Sequence, residues 1–279
     1  MNRPHVRIPL PGGQLVCSGR THVMGILNVT PDSFSDGGRW LDPARALRRA
    51  RRMVRDGASI VDVGGESTRP GAARIPAREE LRRVLPVVEA LAAEGVLVSI
   101  DTSKAAVAEA AFRAGAKILN DVTALRGDRR MARVAAKAGV AVILMHMKGR
   151  PRTMQKAPRY RDIVREITDF FLKSLKSALR AGIPRDRILL DPGIGFGKLP
   201  EHNVEILRRL EEFRRLGCPL VVGTSRKSFI GHYLGRKVDE RLPGTAATVA
   251  AAIFRGADVV RVHDVREMSD VARMSDLVR

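Results

Sequence analysis

Eight short apolar runs punctuate this chain, and each stops at a polar or glycine-rich segment before helix-like sequence begins. Val23 to Leu27 stops at Asn28, Ile60 to Val63 at Gly64-Gly65-Glu66-Ser67-Thr68-Arg69, and Leu97 to Ile100 at Asp101. Lys117 to Leu119 stops at Asn120, Ala141 to Met145 at His146, and Ile188 to Leu190 at Asp191. Pro219 to Val222 stops at Gly223-Thr224-Ser225-Arg226-Lys227, and Asp258 to Val262 at His263. Near-continuous apolar runs are how buried parallel strands read. Eight such strands alternating with helices predict a (β/α)8 TIM barrel, whose chemistry is built on the C-terminal strand ends. Here those ends carry Asn, Asp, Lys, Arg and His.

The 279 residues suit one such barrel, so the chain reads as a single domain over 1–279. Residues 1–22 form a lead-in, in which Val6 to Arg20, with Pro9, Pro11, Gly12 and Gly13 at its centre, predicts a short N-terminal β-hairpin. No run of ~18 apolar residues predicts a membrane span, and no signal-peptide core follows the N-terminus. Cys17 and Cys218 have neither metal-ligand nor redox spacing and read as free thiols. The expectation is a soluble, cytoplasmic protein without a membrane partner.

The net charge of +20 admits nucleic acid, an anionic substrate or a basic solvated surface. The segment Asp42 to Asp56 favours the last. Arg45, Arg48, Arg49 and Arg52 share one helical face, while Ala46, Leu47, Ala50, Met53 and Val54 share the other. Basic pairs such as Arg82-Arg83, Arg129-Arg130, Arg208-Arg209 and Arg214-Arg215 are spread over different helices, and one Trp and two Tyr offer little for base stacking. No nucleic-acid partner is expected.

The strand ends carry the candidate chemistry. Asn28 begins a bendable loop, Val29-Thr30-Pro31-Asp32-Ser33-Phe34, built to close over a ligand, and its amide oxygen could meet Mg²⁺ beside phosphates. An Asn there also serves as an ordinary turn residue. After the second strand, paired glycines free backbone N–H groups and Arg69 can contact an anion or stack on a ring, with Pro70 stiffening the loop. Asp101, Asn120 and Asp191 would point into one barrel mouth. A carboxylate can accept from the adjacent N–H and NH₂ of a pterin or guanine-like ring while an Asn reads the neighbouring edge. Ser103, just past Asp101, is a candidate helix cap.

Asp191-Pro192-Gly193-Ile194-Gly195-Phe196-Gly197-Lys198 lets a loop lie flat against a planar ligand, with Phe196 as an apolar wall. Its spacing is not that of a phosphate-binding P-loop. Lys227, between Ser225 and Ser228, reads as a donor to a ring nitrogen, carbonyl or carboxylate. Arg261 and His263 alternate to the same side of the last strand and suit a phosphate or diphosphate. His146 ends a strand but stands alone, and His5, His22, His202 and His232 have no metal-ligand spacing.

Seven ordered segments resemble the dihydropteroate synthase family of folate biosynthesis: Gly25 to Gly38, Gly64 to Ala72, Ser99 to Lys104, Leu119 to Val122, Leu190 to Lys198, Val222 to Ser228 and Val260 to Val265. The resemblance runs from Val23 to about Met268. It implies condensation of 6-hydroxymethyl-7,8-dihydropterin diphosphate with p-aminobenzoate to give 7,8-dihydropteroate and diphosphate, in an enzyme that sulfonamides inhibit. It further implies that Asp101, Asn120, Asp191 and Lys227 hold the pterin. Arg261 would stack over the ring and, with Asn28, His263 and Thr68, face the diphosphate, Asn28 contacting Mg²⁺. Thr68, Arg69, Pro70, Phe196, Lys227 and Ser228 would frame p-aminobenzoate beneath a loop carrying Pro31, Asp32 and Phe34. Asp101, Lys227, Arg261 and His263 are the expected catalytic set, and the family's usual state implies a homodimer. A pterin-dependent methyltransferase barrel is the rival, and it has no use for a diphosphate pocket.

Overall fold

The computed structural model describes residues 6–30, 43–67, 74–149, 153–155 and 157–279. An antiparallel hairpin comes first, β1 (Val6–Leu10) and β2 (Gly13–Cys17), in the register Val6↔Cys17 to Leu10↔Gly13. Its turn is Pro11-Gly12, and Gly12 takes the left-handed φ of 72° that a tight hairpin needs.

The barrel strands follow: β3 (His22–Asn28), β4 (Ile60–Gly64), β5 (Val98–Asp101), β6 (Ile118–Asp121), β7 (Ala141–Met145), β8 (Ile188–Asp191), β9 (Val221–Val222) and β10 (Val259–Val262). They pair in parallel in the order β8-β7-β6-β5-β4-β3-β10-β9. A single parallel bridge, Leu190↔Leu220, brings β8 to β9 and closes the ring. Between the strands run α1 (Pro43–Arg55), α2 (Ala77–Ala93), α3 (Ala105–Arg113), α4 (Met131–Ala138), α5 (Ile163–Arg180) and α6 (Pro200–Arg208). Both α7 (Ser228–Leu234) and α8 (Leu242–Phe254) lie between β9 and β10, and α9 (Val265–Val278) ends the fold. Among the described residues, no helix is long and apolar enough to cross a membrane.

Strand alternation divides the interior in two. Val61, Val63, Ile100, Leu119, Val142, Leu144, Leu190, Val222, Val260 and Val262 point outward into the layer shared with the helices. Met24, Ile60, Ile118, Ile143, Leu189, Val221 and Val259 point inward and pack with Ile8, Leu10, Leu15 and Cys17 of the hairpin. The hairpin thus plugs the N-terminal end of the barrel with apolar side chains. Two residues further along, the inward positions turn polar at Asp62, Asn120, Asp191 and Arg261 but stay apolar at Ile26 and Met145, and that mixed layer is the floor of the opposite end.

Four local expectations need correction. The seventh barrel strand is two residues long, although its apolar run begins at Pro219. Leu220 N–H donates to the Asp258 carboxylate at 2.9 Å, so a side chain takes the place of a ladder partner. Ser103 does not cap α3; Lys104 holds the cap position, and Ala105 N–H is satisfied by Asp128 Oδ2 at 3.0 Å from across the loop. On α1, Ala46, Ala50 and Met53 face the barrel as expected, but Val54 is exposed. Arg49 turns from solvent towards Arg226 and Asp264, where burial first and Arg226 second lower its pKa.

Candidate active site

At the C-terminal strand ends lies a cleft of about 470 Å³, lined by Asn28, Asp101, Asn120, Asp191, Phe196, Lys227, Ser228, Arg261 and His263 among others. Every expected site residue within the described stretches therefore reaches one cavity. Thr68, Arg69, Pro70, Pro31, Asp32 and Phe34 lie outside the described residues. A wider groove of about 700 Å³, lined by Phe112, Lys117, Arg133 and Val140, lies at the far end of the barrel, remote from all of these side chains.

The centre of the cleft floor is an ionic and hydrogen-bonded cluster. Arg261 donates from Nε to Asp62 Oδ2 at 2.7 Å and from its terminal nitrogen to Asp101 Oδ2 at 2.8 Å. Asn120 Nδ2 donates to the same Asp62 oxygen at 3.0 Å. Asp62 lies behind these residues, 1 % exposed, and orients both of them. Its other oxygen, Oδ1, is buried with no hydrogen-bond partner among the described residues. Burial pushes the Asp101 carboxyl up from the ordinary range, opposed by the Arg261 charge and reinforced by Asp62. Asp191 is likewise raised by burial, against the Gly193 N–H that donates to its Oδ1 at 2.7 Å.

Cations and donors gather on the opposite wall. Lys227 Nζ lies 4.1 Å from the centre of the Phe196 ring, a cation–π pair that joins two loops. His263 Nδ1 is 3.0 Å from Ser225 Oγ, and that hydroxyl also accepts from His263 N–H at 3.1 Å. Burial first, then the neighbouring Arg261 and Arg226, push the His263 pKa down to about 3, so the ring is neutral. Arg226 adopts a left-handed φ of 58° and is held there by Asp264, which accepts from its Nε at 2.9 Å, and by Thr245 Oγ1, which accepts from its N–H at 3.1 Å. Arg241 then donates to the Arg226 carbonyl at 3.0 Å and also reaches the cleft. An acidic, amide-bearing floor beside a rim of Lys and Arg can grip a flat donor-rich ring at one end and an anion at the other.

The model of the pterin-binding enzyme family matches residues 24–263. The chain belongs to the pterin-binding enzyme family. Dihydropteroate synthase of Escherichia coli (strain K12) is 49 % identical over 243 residues, covering 87 % of this chain and 86 % of that protein. The Yersinia pestis dihydropteroate synthase in a sulfonamide drug complex superposes with a TM-score of 0.94 at 45 % identity, covering 98 % of this chain and 99 % of the other. The Xanthomonas albilineans dihydropteroate synthase in complex with 7,8-dihydropteroate gives a TM-score of 0.88 at 40 % identity, with 98 % of each chain covered.

As a pterin-binding enzyme the chain must be tested for Mg²⁺ on its own donors. Among the described residues, no three His, Cys, Asp or Glu side chains converge as a metal site. Asn28, partly buried at the tip of β3, lines the cleft with its amide oxygen beside Gly64. One protein oxygen is compatible with Mg²⁺, which keeps waters and takes most of its contacts from substrate phosphates. The residues fit a metal that arrives with a phosphorylated substrate.

Some members of the site were not expected from the sequence. Asp62 had one visible signal, a lone carboxylate at inward parity inside the apolar run Ile60-Val61-Asp62-Val63. Arg241 had none, because the loop before α8 carries no strand pattern to place it. His146 does not stand alone: its Nδ1 is 2.9 Å from the Nζ of Lys198, a residue 3 % exposed.

Proposed function

We propose that this chain is a dihydropteroate synthase, joining 6-hydroxymethyl-7,8-dihydropterin diphosphate to p-aminobenzoate with release of diphosphate. The observation that carries the reading is the convergence of Asp101, Asn120, Asp191, Lys227 and Arg261 on one cleft. The Yersinia pestis and Xanthomonas albilineans proteins, with sulfonamide and dihydropteroate in their complexes, support it.

Asp191 and Asn120 take the donor and acceptor edges of the pterin, with Asp101 beside them, and Arg261 lies along the ring face. Lys227 bridges the pterin and the p-aminobenzoate side, where Phe196 and Ser228 frame the arylamine. The arylamine nitrogen attacks the pterin CH₂ carbon as the C–O bond to the diphosphate breaks, and the nitrogen's surplus proton goes to solvent. C–O cleavage runs ahead of attack, so positive charge develops on carbon and spreads into the electron-rich pterin. Asp101 and Asp191 tolerate that charge, while Arg261 and the Ser225–His263 pair receive the departing anion. Asn28 would hold Mg²⁺ with the diphosphate, and the metal would supply charge neutralisation for the leaving group.

Exposed Tyr233 and Leu234 on α7, Phe254 on α8 and Met274 and Leu277 on α9 support assembly as a homodimer through these adjoining helices. Condensation of two small polar intermediates suits the cytoplasm. The deciding assay is diphosphate release with and without p-aminobenzoate. Release that depends on the arylamine and yields dihydropteroate is expected, and arylamine-independent hydrolysis alone would reject the synthase.

A further inference from the structure

Lys198 is among the most enclosed charged side chains of the protein, yet it does not line the cleft. Its Nζ has four acceptors around it: the carbonyls of Gly193 at 2.8 Å, Phe196 at 3.0 Å and His146 at 3.3 Å, and His146 Nδ1 at 2.9 Å. As an ammonium it has three N–H groups for these acceptors, although burial disfavours its charge and lowers its pKa, and the Gly193 carbonyl also accepts from Phe196 N–H at 3.0 Å. An apolar side chain of the same length would fill this space without the desolvation cost of a charge. The amine is there for what it binds.

Those acceptors come from two chain segments, the end of β7 and the loop after β8. That loop has few side chains to anchor it. Gly193, Gly195 and Gly197 hold φ values of 67°, 81° and 64°, and a Cβ at Gly193 or Gly197 would collide with the carbonyl of His146 or Lys148. The backbones meet face to face, and their attachment falls to inserted polar groups. Gln155 Nε2 donates to the Gly195 carbonyl at 2.6 Å, Tyr160 Oη to the Gly197 carbonyl at 2.8 Å, and Asn203 Oδ1 accepts from Gly195 N–H at 2.6 Å. Phe196 is tied through its own carbonyl by Lys198. Its ring in turn meets the Lys227 ammonium, and the Cδ of Lys227 leaves only tight space beside Gly195. His146 stays neutral, its pKa driven to about 2 by burial and by Lys198, so it adds no like charge to the nest.

We propose that Lys198 is a positioning residue for p-aminobenzoate: its buried amine draws the Gly193–Phe196 loop onto the end of β7 and thereby sets the Phe196 ring against the arylamine. This rests on the synthase reading of the cleft.

The test is steady-state kinetics of Lys198→Met and Lys198→Ala beside the parent, each substrate varied in turn. In Lys198→Met, loss of the amine's ties is expected to raise KM for p-aminobenzoate about tenfold while KM for the pterin diphosphate moves by less than about threefold. In Lys198→Ala, propylammonium chloride, which replaces the missing three carbons and the amine, should restore the p-aminobenzoate KM where sodium chloride at equal ionic strength does not. A role in packing alone would be rescued by neither salt. KM for p-aminobenzoate within about twofold of the parent in Lys198→Met, or equal effects of the two salts, would overturn the proposal while leaving the parent's synthase activity intact. Should neither variant fold, His146→Leu reads the same tie from its other side: a raised p-aminobenzoate KM supports the proposal and an unchanged one rejects it. A parent that makes no dihydropteroate would instead reject the synthase reading.

Discussion

Arg261 and Asp62, separated by 199 positions in the chain, meet at 2.7 Å beneath the cleft. The arginine would otherwise be free to sweep the barrel mouth on its long side chain. With Asp62 on Nε and Asp101 on the terminal nitrogen, its plane is fixed across the floor. Asp62→Ala should therefore destabilise the fold by roughly 3 kcal/mol, because the Arg261 charge and the Asn120 amide lose their buried acceptor. It should also lower kcat/KM on the order of a hundredfold. Denaturant unfolding and steady-state kinetics check the two effects, and activity within a factor of two would remove Asp62 from the site's support.

Asp191→Ala is expected to lose on the order of a hundredfold in kcat/KM for the pterin substrate, since charged hydrogen bonds contribute about 1.5–3 kcal/mol each. Pterin binding by calorimetry should weaken in parallel. Unchanged pterin affinity would take Asp191 out of ring recognition.

Lys227→Met should raise KM for both substrates, about tenfold each, because its ammonium lies between the pterin floor and the Phe196 wall. An effect confined to the melting temperature would make it a packing residue only.

Acid should draw stability from this fold through its histidines. The folded-state pKa values of His263 and His146 are depressed to about 3 and about 2, whereas an unfolded His titrates near ~6.5. Between those values the unfolded chain binds protons that the folded one refuses, so their contribution to stability is fully present above pH ~6.5 and is lost as the pH falls. The raised Asp101 and Asp191 carboxyls act with the opposite sign over the same range, so the check is a difference: the urea midpoint of the parent relative to that of His263→Asn should fall from pH 7 to pH 4. A constant difference would mean that His263 is already charged in the fold.

Chelation by EDTA should suppress turnover, and added Mg²⁺ should restore it. Asn28→Ala should require more Mg²⁺ for half-maximal rate, because it removes an amide oxygen that would hold the metal. Equal Mg²⁺ dependence would place the ion wholly on the substrate.

The barrel was legible because buried strands must be apolar and must stop where side chains meet a ligand. Asn28, Asp101, Asn120, Asp191, Lys227 and His263 were found on that logic, as interruptions at strand tips. Asp62 escaped because it lies inside a strand, where its purpose depends on Arg261 from the far end of the chain. Lys198 was seen but not understood: its carbonyl partners leave no trace in the sequence, since any residue supplies a carbonyl. The short β9 was misjudged for a related reason, since a side chain from Asp258 takes over one backbone partner. Local pattern reveals elements and their tips, and long-range polar partnerships appear only once the chain is folded.

The barrel's hoop has one thin stave joint, the lone bridge from Leu190 to Leu220. Asp191 follows one lip of that joint, and the segment from Gly223 to Lys227 follows the other. A heterocycle grasped from both lips, as the proposed roles of Asp191 and Lys227 require, would act as a rivet across the seam, so that catching the substrate and tightening the cylinder would become a single event.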